Sequence, residues 1–364
     1  MEDVVTADAA CWNGRSVLIT GNTGFKGGWL ALWLSSLGAK VTGLSLPPDQ
    51  DPSGNTAAGL QDESNTRYLD IRDAAAVDAC IAAVKPSVVF HMAAQSLVRP
   101  SYEDPIGTYA TNVMGTVHVL DAVRRHGNTD AVVVVTSDKC YENREWYWAY
   151  REDEAMGGYD PYSSSKGCAE LVTSAYRRSF FTGKPGKVCR VASARAGNVI
   201  GGGDWSVDRL VPDMIRSLSR GASVEIRSPH AIRPWQHVLE PLSGYVRLAE
   251  QLVSDGGDLY AEGWNFGPAD EDCRPVSYLV KYLTEAWGEG AQWHLADKPQ
   301  PHEASFLKVD SSKARFRLKW DRRLGLDAGL DWTVEWYRRQ LAGESAKQLT
   351  LEQIKRYEQQ GMQA

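Results

Sequence analysis

With 364 residues, 43% hydrophobic and 24% charged, the chain has the balance of an ordinary globular protein and the length for one large domain, or for a larger domain with a smaller one built onto it. Its formal net charge of −6, without any Lys/Arg run, excludes a broad nucleic-acid-binding surface, so an anionic ligand must be held by single, placed Arg or Lys residues. No apolar run approaches the ~20 residues needed to cross a bilayer, and Met1 to Trp12 lacks the basic and apolar regions of a secretory signal, so a cytoplasmic protein with no membrane partner is expected.

In chain order, a strand is predicted over residues 16–20 (SVLIT), closed by Gly21, and the apolar spacing over 29–37 predicts a helix. A second strand follows over 40–46, a short third over 66–69, a helix over 74–84 and a fourth strand over 87–91 (SVVFH). Residues 104–126 read as a long helix, 131–136 (AVVVVT) as a fifth strand, 161–181 as another long helix and 188–194 as a further strand. Strands alternating with helices, rich in continuous Val and Ile, predict an α/β protein with a Rossmann-type doubly wound parallel sheet covered on both faces. From about Asn198 the pattern changes: glycines cluster at Gly201, Gly202 and Gly203, and Trp and Pro become frequent. Residues 1–197 are therefore expected to form the nucleotide-binding domain, and 198–364 mainly a smaller substrate-binding lobe with some segments returning to the first domain. The six cysteines stand singly, without C-x-x-C spacing, and read as small buried hydrophobes in a reducing compartment; no metal site is implied.

Gly21-Asn22-Thr23-Gly24-Phe25-Lys26-Gly27 is a G-x-x-G-x-x-G loop between first strand and first helix. Glycines there permit a tight turn, let backbone N–H groups approach a pyrophosphate and aim a helix N-terminus at its charge, which predicts dinucleotide binding. The acidic residue expected at the end of the second strand is replaced by Ser45, and no neighbouring Arg welcomes a 2′-phosphate; this favours NAD over NADP. Lys26 takes a place usually apolar, either solvated at the loop edge or touching phosphate. Asp70 and Ile71 after the third strand suit the adenine, and Ala93, Ala94 and Gln95 after the fourth let the backbone pass close to the cofactor.

Tyr162-Ser163-Ser164-Ser165-Lys166 is Y-x-x-x-K on a predicted helix, with phenol and ammonium on one face. A cation there, beside the positive nicotinamide ring, is expected to lower the phenol pKa from ~10, making Tyr162 a base near neutral pH. With these residues in place, the chain resembles the extended short-chain dehydrogenase/reductase family over nearly its whole length. The resemblance implies that Gly21, Gly24 and Gly27 meet the pyrophosphate, that Asn112 is a structural and proton-relay residue, and that Tyr162 and Lys166 are the catalytic pair.

Within that family, Thr136-Ser137-Asp138-Lys139-Cys140-Tyr141 is similar to the S-T-D-E-x-Y segment of sugar-nucleotide 4,6-dehydratases, with Lys139 where most have Glu. Together with Gly-Phe-Lys-Gly-Gly-Trp in the first turn and the long motif from Arg195 to Trp205, it looks like the CDP-glucose 4,6-dehydratases. That likeness implies an NAD-dependent internal redox cycle that dehydrates CDP-glucose to a CDP-4-keto-6-deoxyglucose for deoxysugar biosynthesis, with Ser137 touching the sugar, Asp138 as acid and Lys139 as base. It also implies a nucleotide-sugar site lined by Ser96, Arg99, Asn198, Arg209, Leu210, Arg233 and Asn265, with His302 in a late loop. A homodimer built on the two long helices, or a dimer of dimers, is implied too. A dTDP- or GDP-linked dehydratase and a UDP-sugar 4-epimerase remain alternatives.

Overall fold

A computed structural model of the chain describes residues 7–48, 65–182, 189–288, 290–296 and 304–361. Its centre is a seven-stranded, wholly parallel sheet formed by β1 (Ser16–Thr20), β2 (Lys40–Ser45), β3 (Thr66–Tyr68), β4 (Val88–His91), β5 (Ala131–Val135), β6 (Arg190–Ala196) and, after three strands of the second lobe, β10 (Gly263–Phe266). The order is β10-β6-β5-β4-β1-β2-β3. The chain runs outward from β1 to β3, then crosses back to β4 on the other side of β1, which makes the β1/β4 junction the point where strand order reverses.

The unbroken valines of β5 follow from this burial. Successive side chains point to opposite faces, so Val133 and Val135 enter one core while Val132 and Val134 enter the other. One core carries the helix Phe25–Ser36 and the helix Leu239–Val253, and the other carries the helices Ala74–Val84 and Gly115–His126.

Several elements differ from the sequence expectation. The first helix begins at Phe25, directly after Gly24, because the inward-turned Lys26 interrupts the apolar pattern without interrupting the helix. The long helix over 104–126 is jointed: Asp104 caps a short helix Pro105–Tyr109, a π-turn spans Ala110–Met114, and α-helix resumes over Gly115–His126. The helix from Pro161 ends at Tyr176 and closes in a π-turn over Arg177–Phe181. The sixth strand begins at Arg190, while Val188 lies outside the described residues.

The second lobe contains small sheets. β7 (Asn198–Ile200), β9 (Ile232–His237) and β11 (Cys273–Pro275) form one; β8 (Val224–Ile226) and β12 (Trp293–Leu295) form another. The last helices, Leu326–Leu341 and Ala346–Gly361, return to the first. Trp33 Nε1 donates to Glu358 at 2.8 Å, Trp29 Nε1 donates to the Gly202 carbonyl at 2.9 Å, and a Cβ on Gly202 would lie 2.1 Å from the Trp336 ring.

Candidate active site

The carboxyl ends of the parallel strands open on a cleft of about 1110 Å³, where an α/β sheet of this kind places its ligands. Around it stand Gly21, Thr23, Gly24, Phe25, Lys26 and Gly27 after β1, Ser45 at the end of β2, Asp70 and Ile71 after β3, and Ala93, Ala94, Gln95, Ser96 and Arg99 after β4. Ser137, Asp138 and Lys139 follow β5, Tyr162 and Lys166 face them from the next helix, and Asn198, Arg209, Leu210 and Arg233 close the cleft from the second lobe.

The loop glycines divide into two roles. Gly21 has φ +79° and a Cβ there would come within 2.7 Å of the Ala93 nitrogen; one on Gly27 would lie 2.1 Å from the Gly21 carbonyl oxygen. The turn itself therefore requires both. Gly24 is exposed, has only the Gly21 oxygen at 3.4 Å, and precedes a helix whose N-terminus has no side-chain cap. Uncapped N–H groups beside an open backbone fit a pyrophosphate.

At the adenosine end the polar groups are already engaged with one another. Ser45 Oγ donates to Asn22 Oδ1 at 2.9 Å and accepts from Thr23 N at 3.3 Å, and Asn22 donates on to Thr66. Asp70 pairs with Arg72 at 2.6 Å, and that guanidinium holds its carboxyl below the usual range.

At the other end, Asp160 caps the helix Pro161–Tyr176 by accepting from Ser163 N at 2.9 Å, which sets Tyr162 in its first turn. Lys166 follows one turn later and donates to the Val135 carbonyl at 3.3 Å. Burial pushes the Tyr162 phenol up to about 12, with the nearby Ser137 hydroxyl pulling it down, and pushes the Lys166 amine down to about 8. Among the chain's own groups burial outweighs the cation, whose ammonium is turned to a backbone carbonyl; the expected lowering also draws on the positive nicotinamide ring.

Where β5 stops, Ser137 caps a 3₁₀ turn over Asp138–Cys140, which breaks the strand alternation and brings the next two side chains to the same cleft. Ser137 Oγ donates to Asp138 Oδ1 at 3.0 Å, whereas Asp138 Oδ2 has no partner among the described residues. Burial raises the Asp138 carboxyl, against Lys139 and the Ser137 and Arg233 side chains, so it tends to keep its proton. Lys26 is half-buried and lines the cleft. Its amine lies over the Tyr245 ring, 6.0 Å from the centroid, and burial with the Lys166 and Arg209 charges lowers it to about 7.

Toward the second lobe, Arg209 donates to Asp204 at 3.0 Å and to Ser96 at 2.8 Å, bridging the mouth of the cleft. Asp208, at φ +59°, pairs with Arg99 at 3.2 Å and Arg227 at 3.1 Å.

Two residues expected at the site lie elsewhere. Asn265 is fully buried behind the cleft, accepting from the Tyr141 hydroxyl at 2.7 Å and donating to the Tyr150 carbonyl at 2.9 Å, so its amide is spent on holding loops. Asn112 is buried in the π-turn and clamps Gln95, its Oδ1 accepting from the Gln95 nitrogen and its Nδ2 donating to the Gln95 carbonyl and to Ser165, each at 2.8 Å. This is the structural half of the expected role. His302 lies outside the described residues.

Sequence reasoning passed over Glu170 and Tyr245, and quoted Arg195 and Tyr141 only as motif members without a role. Buried Glu170 accepts from Arg195 at 2.8 Å and Ser193 at 2.6 Å, and Arg195 donates to the Tyr141 hydroxyl at 2.7 Å, directly beneath the Asp138 turn. A signal existed: Tyr162, Lys166 and Glu170 are spaced by fours on one helix face, and an acid on a buried face needs a cation partner.

A Tyr–Lys pair one turn apart, facing a glycine loop across the reversal point of a parallel sheet, defines a nucleotide-dependent enzyme of the extended short-chain dehydrogenase/reductase type. The family model described as GDP-mannose 4,6 dehydratase matches residues 18–333, and the chain belongs to that family of sugar-nucleotide dehydratases. It is 53% identical to the CDP-glucose 4,6-dehydratase of Salmonella typhimurium, over 93% of this chain and 94% of that protein. Solved structures of the same fold include DesIV, a dTDP-glucose 4,6-dehydratase from Streptomyces venezuelae with NAD bound (TM-score 0.75, 22% identity, 90% of this chain and 98% of that one). Another is a Thermus thermophilus UDP-glucose 4-epimerase in complex with NAD (TM-score 0.75, 22% identity, 88% and 98%).

Proposed function

We propose that this chain is an NAD-dependent hydro-lyase that converts CDP-glucose to CDP-4-keto-6-deoxyglucose. The observation that carries it is the Asp138–Lys139 turn set against Tyr162 in one cleft, in a chain with 53% identity to a CDP-glucose 4,6-dehydratase. An epimerase needs no acid and base beyond its tyrosine.

The uncapped helix after Gly24 and the small residues Ala93 and Ala94 would hold the NAD. When bound, it would supply hydride chemistry between sugar C4 and C6, and its positive ring would draw the Tyr162 phenol downward. Tyr162 takes the O4 proton, Ser137 orients the hydroxyl, and Lys166 fixes the phenol's field. Lys139 removes the C5 proton. Asp138, its carboxyl raised by burial, gives its proton to the C6 hydroxyl as it departs, so one water leaves and no net oxidation occurs. The second lobe supplies Arg209 and Arg233 for the diphosphate, with Arg99 at the mouth.

Incubation of the pure protein with NAD and a panel of CDP-, dTDP-, GDP- and UDP-hexoses tests this, read as the ultraviolet absorption of a 4-keto sugar in alkali. CDP-glucose is expected to turn over with little from dTDP-glucose; equal turnover of another nucleotide sugar overturns the substrate.

The enzyme works as a homodimer in the cytoplasm on this reading. Ile106, Met114 and Leu171 are exposed apolar side chains on the two helical segments that relatives would pair, 82%, 47% and 60% accessible. Ile106→Lys with Leu171→Lys is expected to give monomers by sedimentation; an unchanged dimer moves the interface elsewhere.

A further inference from the structure

Two buried, oppositely charged side chains hold the Asp138 turn from behind, and neither lines the cleft. Glu170 stands on the helix Pro161–Tyr176, one turn beyond Lys166 and two beyond Tyr162, and Arg195 stands on β6. Glu170 Oε1 accepts from the Thr136 hydroxyl, and its Oε2 accepts from Ser193 Oγ at 2.6 Å and from Arg195 Nη2 at 2.8 Å. Arg195 Nη1 donates to the Tyr141 hydroxyl at 2.7 Å and to the Glu152 carbonyl at 3.1 Å, and the Tyr141 hydroxyl donates on to Asn265 at 2.7 Å. Thr136 and Tyr141 flank the segment from Ser137 to Cys140, so the ion pair grips the turn at both ends. Close packing wedges it as well: a Cβ on Gly167 of the helix would lie 3.1 Å from the Cys140 carbonyl oxygen, and one on Gly197, just past β6, 3.2 Å from Asp138 Oδ2. Tyr162 and Lys166 are placed by other bonds, the Asp160 cap and the Val135 carbonyl.

We propose that Glu170 and Arg195 are positioning residues for the elimination step: as one pair they lock the Asp138–Lys139 turn to the helix of Tyr162, so that acid and base meet the sugar the tyrosine has oxidised. This rests on the dehydratase reading. Neither side chain reaches the cleft, so both act through Thr136 and Tyr141. A buried ion pair adds little net stability, because desolvation offsets the attraction; what its bonds secure here is geometry. Oxidation at C4 needs Tyr162 and Lys166, whose own bonds do not pass through the pair. Elimination needs Asp138 and Lys139 too, and a misplacement of about 1 Å can cost about a hundredfold in rate. Loss of the pair therefore slows the second half of the reaction and spares the first.

Arg195→Lys keeps the charge but replaces the fork with a single ammonium, which cannot span Glu170, Tyr141 and the Glu152 carbonyl together. With saturating NAD and CDP-glucose in rapid-quench assays, reduced nicotinamide should form at the wild-type rate and persist, while elimination slows by about tenfold to a hundredfold. The CDP-glucose concentration for half-saturation should not move. Removing one partner alone strands a buried charge and can unfold the chain, so the companion variant is Glu170→Gln with Arg195→Met, which strands none. Its Tm should lie near the wild type's while elimination stays slow, and oxidation in the same sample counts the folded sites. Elimination restored along with the Tm in that double variant overturns the proposal and marks the pair as structural. Oxidation and elimination slowed alike in Arg195→Lys, or elimination at the wild-type rate there, overturns it too. Should wild type make no 4-keto product from CDP-glucose, the function and the positioning role fall together, whereas wild-type turnover with an unslowed Arg195→Lys strikes the positioning role alone.

Discussion

The two ends of the cleft are built on opposite terms. At the adenosine end, Ser45 is tied to Asn22 and Asp70 to Arg72, so every one of these groups has a partner before any ligand arrives. At the reacting end, Asp138 Oδ2 is buried without a partner among the described residues, and burial lowers the Lys26 and Lys166 amines to about 7 and about 8. An unsatisfied buried polar group costs about 1–3 kcal/mol, a cost the fold accepts where charge must develop and avoids where a cofactor need only be held. A pre-satisfied pocket gains little on binding, because each new contact replaces an existing one; an unsatisfied one gains most when charge appears.

The sharpest break in this contrast is at Asp138. Asp138→Asn keeps the shape and removes the acid, and turnover is expected to fall by about 10²–10⁴, the usual contribution of a positioned acid or base. Reduced nicotinamide should form and persist, seen in single-turnover absorbance. Lys139→Met should give a similar loss, with no deuterium entering C5 from heavy water; full-rate exchange in this variant assigns the base elsewhere.

A smaller effect concerns stability. His237 is buried between the edges of Trp29 and Trp332, its Nε2 without a partner among the described residues, and burial lowers its pKa to about 3 from 6.5. The unfolded chain therefore binds a proton that the folded one refuses, so this group's stability is complete above pH 6.5 and is lost as pH falls toward 3. Each unit in that window costs about 1.4 kcal/mol per such histidine. His91, held between Thr20 and Thr116, behaves alike. Glu240 acts oppositely: burial raises it to about 7, so falling pH restores stability between that value and its ordinary 4.5. Urea unfolding of His237→Phe should show a shallower loss between pH 6.5 and 4 than wild type; equal slopes would mean His237 is not buried neutral.

The smallest change expected is at the adenosine end. Ser45→Asp should tighten NAD by roughly tenfold, about 1.4 kcal/mol, by supplying a carboxylate to the ribose in place of a hydroxyl already given to Asn22. Titration calorimetry decides it, and unchanged affinity places the weakness elsewhere in the loop.

Much of the fold was legible because strand burial writes itself into runs such as residues 131–135, and because a glycine loop between strand and helix has few other uses. The jointed helix at Asn112 was not legible, since a π-turn inserts one residue without disturbing the apolar stripe enough to show. At the site, residues displayed by strand ends could be placed from order alone: Gly21, Ser45, Asp70, Ala93 and Asp138 each follow or end a strand. Residues whose neighbours come from distant segments could not. Asn265 looks like a ligand contact until its amide is found between Tyr141 and Tyr150, and Tyr245, on the helix Leu239–Val253, carries no local mark at all. The motif from Arg195 to Trp205 reads as a substrate signature, yet Gly202 is there because Trp336 leaves no room for a side chain.

That contact, with the bond from Trp33 to Glu358, bears on how the protein is made. The helix that follows the phosphate loop is synthesised long before the residues that cover its outer face. At about 5–20 residues per second, the ribosome leaves Trp29 and Trp33 without their final neighbours for tens of seconds. The nascent chain must shield those indoles until the later helices emerge, and the cofactor loop reaches its finished form only when those helices fold back over it.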